Sequence, residues 1–268
     1  MIKVYLDRAA RSDAHGVIAI AGAMFWPFFY DQFLHLWEPF LRDWNAKAFH
    51  ATDFYPGAGE FWRKHPDGNA DRERTALFER DSRRLPELIN PYVRKLFVVA
   101  FRKEEYESFA PLAWRQQFGP VNFVAAQMMA QSIGHWASRE KHEGEISYFY
   151  ETGEGPGEAE MHKGLLRVYD EPRLRRHSRM ASTPVGVGKG NARGLEVADF
   201  LAWHWNKYAA ETRGADKPRP LRADIKALME MLGMRGEKID VRLFTGARLR
   251  SFLLANGCTT YETAGVTG

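Results

Sequence analysis

At the start of the chain Ile2, Val4 and Leu6 alternate with Lys3, Tyr5 and Asp7, the two-residue period of a strand whose faces meet different surroundings. A second apolar run, Val17 to Ala23, follows a short polar connection, and the pair predicts a hairpin. From Phe25 the spacing lengthens toward 3.6 through Phe28, Phe29, Phe33, Trp37, Phe40 and Trp44. That predicts a helix with Pro27 in its first turn and an interruption or kink at Pro39. Glycines, prolines and charges from about Tyr55 to Asn69 predict a surface loop.

Beyond it the pattern predicts a charged helix over Asp71 to Ile89 and a short buried strand over Leu96 to Phe101. A helix buried all round follows over Val121 to Ala137, then a fourth strand over Glu145 to Glu151. A helix over Glu158 to Tyr169, a fifth strand over Met180 to Val185 and a buried helix over Leu195 to Tyr208 complete the core. The tail reads as helical at Ala223 to Leu232 and Gly246 to Asn256. Between the fifth strand and the buried helix, VGVGKGNARG lacks the spacings of the phosphate-binding glycine motifs and reads as a flexible turn. The whole predicts a single α/β domain over residues 1–268, with a core over about 1–210 and a helical C-terminal extension over about 220–257.

Against this pattern three carboxylates stand out. Asp7 ends the first strand, Glu151 ends the fourth, and Asp199 lies on the apolar stripe of the late helix with Leu195, Ala202 and Trp203. A charge on an apolar face needs a partner or a metal ion. Each could be a surface charge or have a structural partner of its own, in which case the three would lie more than about 8 Å apart. Alternatively they converge at the carboxyl ends of the strands, where open α/β sheets bind ligands. An all-oxygen trio suits Mg²⁺ or Mn²⁺ better than Zn²⁺, and such ions activate water and stabilise a leaving oxygen in phosphodiester hydrolysis. His50 and Asp53 in FHATDF are three apart, spaced for a proton shuttle or an extra ligand, or else for a helix cap at Thr52 or Asp53 with His50 packed beside it.

Composition narrows the classes. The chain has 268 residues, 45% of them apolar, and one cysteine, Cys258, so an internal disulfide framework and a cysteine zinc site are excluded and a reducing cytoplasm is expected. No apolar run is long enough to span a membrane, and neither HExxH nor GxSxG occurs. Net charge is +4. The guanidinium groups concentrate in RLRRHSR, where Arg175, Arg176 and Arg179 are candidate phosphate contacts, and in a C-terminal set of Arg219, Arg222, Arg235, Arg242, Arg248 and Arg250.

YLD, VIAIAGAMF, FHATDF, YFYETGEG and LEVADFLAW occur in that order between Met1 and Tyr208. In this the chain resembles the bacterial family catalogued as domain of unknown function 3800, which is grouped with the RNase H-like fold. The resemblance implies a mixed five-stranded sheet flanked by helices, with acidic residues on the first strand, the fourth strand and a late helix, matching Asp7, Glu151 and Asp199. It further implies a metal-dependent nuclease with nucleic acid as its partner. Two motifs depart from the family: Asp7 is followed by Arg8, Ala9 and Ala10 instead of Glu-Ser-Gly, and Glu196 stands where glutamine is common. These departures leave a second expectation, an inactive RNase H-like module that binds nucleic acid or a protein.

Overall fold

The computed structural model describes residues 1–9, 16–55, 70–153, 155–212, 220–233 and 239–258. Strand β1 (Ile2–Ala9) pairs antiparallel with β2 (Val17–Phe25), as the alternation predicts, and β2 pairs antiparallel with β3 (Val93–Arg102). On its other edge β1 pairs parallel with β4 (Ile146–Glu151), which pairs parallel with β5 (Val185–Val187). The order β5-β4-β1-β2-β3 is a mixed sheet, as the resemblance to the RNase H-like fold implies. A sixth strand, β6 (Ile239–Phe244), extends it in parallel along β3.

Every strand but β5 divides its side chains between two cores. Ile2, Val4 and Leu6 of β1 pack with Ile146, Tyr148 and Tyr150 of β4 beneath α6 (Val121–Arg139) and α7 (Pro156–Asp170). On the opposite face Tyr5, Ala21, Ala23 and Phe25 pack beneath α9 (Gly194–Glu211), α1 (Pro27–Asp43) and α2 (Ala51–Phe54). Helices α3 (Ala70–Ile89) and α10 (Ala223–Gly233) close the second layer. The remaining helices are α4 (Lys103–Phe109), α5 (Leu112–Phe118), α8 (Pro172–Ser178) and α11 (Gly246–Ala255). No described helix is long and apolar enough to cross a membrane.

Three sequence expectations are corrected, and of the interruption or kink expected at Pro39 the interruption does not occur. Helix α1 runs through Pro39; the proline lies on the exposed face, where water can satisfy the carbonyl that its ring deprives of a donor. The fifth strand is Val185–Val187, and Met180 contributes only an isolated bridge to Ile146. The glycine-rich segment is therefore partly strand, followed by a 3₁₀ turn over Lys189–Asn191. The tail contains β6 as well as helices. The connection expected from Tyr55 to Asn69 lies, beyond Tyr55 itself, outside the described residues, as does Ala10.

Candidate functional site

The parallel pairing of β1 and β4 sets the first two carboxylates side by side. Leu6 is registered with Tyr150, so one further step along both strands brings Asp7 beside Glu151. Both belong to the face covered by α9. That helix closes on β1 because its first residue is Gly194, where an added Cβ would run into the Tyr5 ring. Asp199 lies on the covered side, and its Oδ2 accepts a 2.8 Å hydrogen bond from the amide of Ala51 at the start of α2.

The three carboxylates converge on one atom. The ammonium Nζ of Lys189 lies 3.2 Å from Asp7 Oδ2, 3.2 Å from Glu151 Oε2 and 3.3 Å from Asp199 Oδ2. No two of these oxygens can be farther apart than about 6.5 Å, twice the ammonium distance. Lys189 arrives from the same end of the sheet: Val187, the last residue of β5, is registered with Glu151, and the lysine follows two residues later. Sequence reasoning missed it by taking its segment for a flexible turn. A lone lysine between two glycines, just past an apolar strand, was the available signal.

Among the described residues, one positive charge among three acids leaves the site short of compensation. Burial, repulsion from Asp7 and a hydrogen bond shared with Asp7 push the Glu151 carboxyl up to about 8, against the pull of Lys189. Burial also pushes Asp199 up to about 7, with Lys189 opposing and Asp7 adding repulsion. Asp7 goes the other way. Burial raises it, but Lys189, the bond with Glu151 and the Arg8 amide together hold it below the ordinary aspartate value. The Lys189 ammonium, although disfavoured by burial, is raised by its three acidic neighbours. Near neutral pH the cluster therefore retains protons that isolated carboxylates would have lost.

Arg8 does not enter this balance. Strand alternation sends it through the sheet to the other face, where Nη2 donates to Glu158 Oε1 at 2.6 Å and Nη1 reaches Asn122 Oδ1 at 3.5 Å. Only its backbone amide serves the site, donating to Asp7 Oδ1 at 2.7 Å. Glu158 thus pairs with Arg8, and His162, one turn along α7, stacks on Tyr150. Glu196 is fully buried and structural: Trp37 Nε1 and Arg193 Nη1 donate to it at 2.6 and 2.7 Å, tying α1 to α9.

His50 and Asp53 sit at the margin. His50, not Thr52 or Asp53, is the cap residue of α2, and the amide of Asp53 donates to its carbonyl at 3.0 Å. Both side chains are half-buried, and among the described residues the acidic partners of Lys189 are Asp7, Glu151 and Asp199.

The candidate phosphate-binding arginines lie elsewhere. The carbonyl of Arg179 accepts the amide of Ile146, the first residue of β4, so the cluster flanks the amino end of that strand. Glu151 is at the other end, about 17 Å away at the usual strand rise. Arg175 lies over the Tyr169 ring at 4.2 Å, Arg179 donates to the Glu143 carbonyl at 3.1 Å, and Arg176 lines a surface pocket with Glu143, Glu145 and Asp170. A phosphate at the carboxylates would be beyond their reach. In the tail, Arg242 pairs with Asp240, and Arg222, Arg248 and Arg250 lie over aromatic rings. Arg219 and Arg235 fall outside the described residues.

The carboxylates suit a hard divalent cation by donor chemistry: all are oxygen ligands, and among the described residues the buried Asp7 Oδ2 accepts no aligned hydrogen bond although the ammonium is nearby. Among the described residues no three His, Cys, Asp or Glu side chains stand ready as a formed metal shell; in this cluster the ammonium takes the middle.

No family model matches the chain, and no curated protein matches it. Among solved structures, a chain of the PCNA:RNase HII complex from Archaeoglobus fulgidus is similar at 12% identity and a TM-score of 0.37, over 88% of this chain and 91% of that chain.

Proposed function

We propose that the protein is a Mg²⁺- or Mn²⁺-dependent phosphodiesterase acting on nucleic acid, related to the domain of unknown function 3800 family, with Asp7, Glu151 and Asp199 as the metal-holding carboxylates. The observation that carries this reading is the convergence of three carboxylates, from two strands and a helix, within 3.3 Å of one cationic atom. A divalent ion held there supplies an activated water and stabilises charge on the leaving oxygen. The protein's own groups prepare the place for it. The Arg8 and Ala51 amides orient Asp7 and Asp199, while the Glu151 side chain, 27% exposed against 3% for Asp7, faces the entrance. Glu151 keeps its proton near neutral pH until a stronger positive charge replaces it. Calorimetry with Mn²⁺ tests the reading: stoichiometric binding, lost in Asp199→Asn, is expected, and no heat at millimolar metal would refute it.

A second reading, an inactive module that binds nucleic acid or a protein partner, is favoured by the ammonium at the centre of the cluster. It predicts that the wild type cleaves neither DNA nor RNA in Mn²⁺. Restoring the family's glutamate at position 8 does not bear on it, because that side chain faces Glu158 across the sheet.

A further inference from the structure

The proposed reaction leaves Lys189 unexplained. Its side chain is 10% exposed and its Nζ is almost equidistant from three acidic oxygens, yet it is carried differently from them. The acids are anchored in regular elements, and two of them are oriented by backbone amides. The lysine stands on a 3₁₀ turn between Gly188 and Gly190, the latter at φ +36°. Among the described residues that turn is loosely surrounded: a Cβ at Gly188 would meet only Asn191, at 3.5 Å, and one at Gly190 only Ala48, at 4.0 Å. The ligands are fixed and the cation is on a tether.

A divalent ion and this ammonium cannot share the centre. Mg²⁺ binds carboxylate oxygens at about 2.1 Å, and two cations in contact with the same oxygens would repel each other strongly in a buried site. Resting on the reading of the three acids as a metal site, we propose that Lys189 is a tethered counter-cation that holds the acids together in the metal-free protein and is displaced by the incoming divalent ion. It thereby sets the metal concentration at which the site fills.

Calorimetric titration of chelator-stripped wild type and Lys189→Met with MnCl₂ tests this, since methionine keeps an unbranched stem and removes the charge. The variant is expected to bind Mn²⁺ at least tenfold more tightly, and binding by the variant alone would support the proposal equally. Equal affinities, or weaker binding by the variant, would overturn the counter-cation while leaving the metal site standing; no binding by either protein at millimolar Mn²⁺ would overturn both. Should the variant fail to fold, the wild type provides the same decision through acylation of Lys189 by an amine reagent, read by mass spectrometry against the exposed Lys163. Saturating Mn²⁺ is expected to speed Lys189 labelling at least tenfold relative to Lys163, and unchanged or slower labelling would overturn the proposal.

Discussion

Helix α9 carries two buried charged clusters about one turn apart, and they are built on opposite principles. Around Asp199, three acids surround one ammonium. Around His204, the acids and bases match: its Nε2 lies 3.2 Å from Asp224 Oδ2, the Tyr55 ring stacks on Trp203 at 4.5 Å, and Arg222 lies over Tyr55 at 4.8 Å. Although burial acts to raise it, Asp224 is held down at about 2 by His204, Tyr55 and the Ile225 amide, while burial pushes His204 down toward its neutral form. Glu151 and Asp199 move up instead. Two clusters of similar depth on one helix thus differ in the sign of their carboxylate shifts. A matched cluster stabilises the fold, whereas an under-compensated one stores an affinity for positive charge.

The largest effect that would test this contrast is loss of metal binding. Asp199→Asn is expected to weaken Mn²⁺ binding by on the order of 100-fold or more, without lowering the melting temperature in chelator, because one poorly compensated buried charge is gone. A variant that unfolds easily yet still binds metal would place Asp199 with the structural residues.

Asp224→Ala should behave in reverse. Removing the carboxylate beside buried His204 is expected to cost about 2 kcal/mol of stability, measured by denaturant unfolding, with Mn²⁺ affinity unchanged within about threefold. A large change in metal affinity would mean that the two clusters are coupled.

Their pH dependence should also separate. Asp224 titrates lower in the folded than in the unfolded chain, so its contribution of about 2 kcal/mol is present above pH 4 and is lost as pH falls from about 4 to 2. Glu151 and Asp199 titrate higher when folded, so the stability linked to their protons is present below about pH 4 and is lost as pH rises to 7 and 8. In metal-free buffer the melting temperature should therefore decline from pH 5 to 8. Asp199→Asn should flatten that decline and leave the acid limb intact. An identical slope in wild type and variant would contradict the assignment.

The smallest effect is expected at the opposite end of the sheet. Arg175→Ala should leave both Mn²⁺ affinity and any hydrolysis within about twofold of wild type, as a half-buried group at the far end of a strand about 17 Å long should. A loss above tenfold would show that substrate reaches across the sheet to the arginines.

The acidic half of this contrast was legible in the sequence because it follows from period and burial, whereas the His204 cluster was not. Alternation through Ile2, Val4 and Leu6 fixes which face Asp7 takes, and the apolar stripe around Asp199 fixes its inward direction. What escaped depended on pairing rather than pattern. Strand β5 is three residues long and contains a glycine, so its boundary comes from its neighbour β4 and not from its own composition. Lys189 inherits that uncertainty, since only the register Glu151 with Val187 brings it to the acids. Strand β6 is half-buried at a sheet edge and mixes Asp240 and Arg242 with apolar residues, which left its alternation weak among helical segments. The arginine cluster misled for a related reason. Its charge was visible, but its position at the amino end of β4 is a consequence of topology.

The most direct test of the central claim is crystallographic: diffraction from crystals grown with Mn²⁺, recorded near the manganese absorption edge. The expected result is an anomalous peak coordinated by Asp7, Glu151 and Asp199, with the Lys189 side chain withdrawn from the centre. A map with no peak at millimolar Mn²⁺ and the Lys189 ammonium still between the three carboxylates would contradict it.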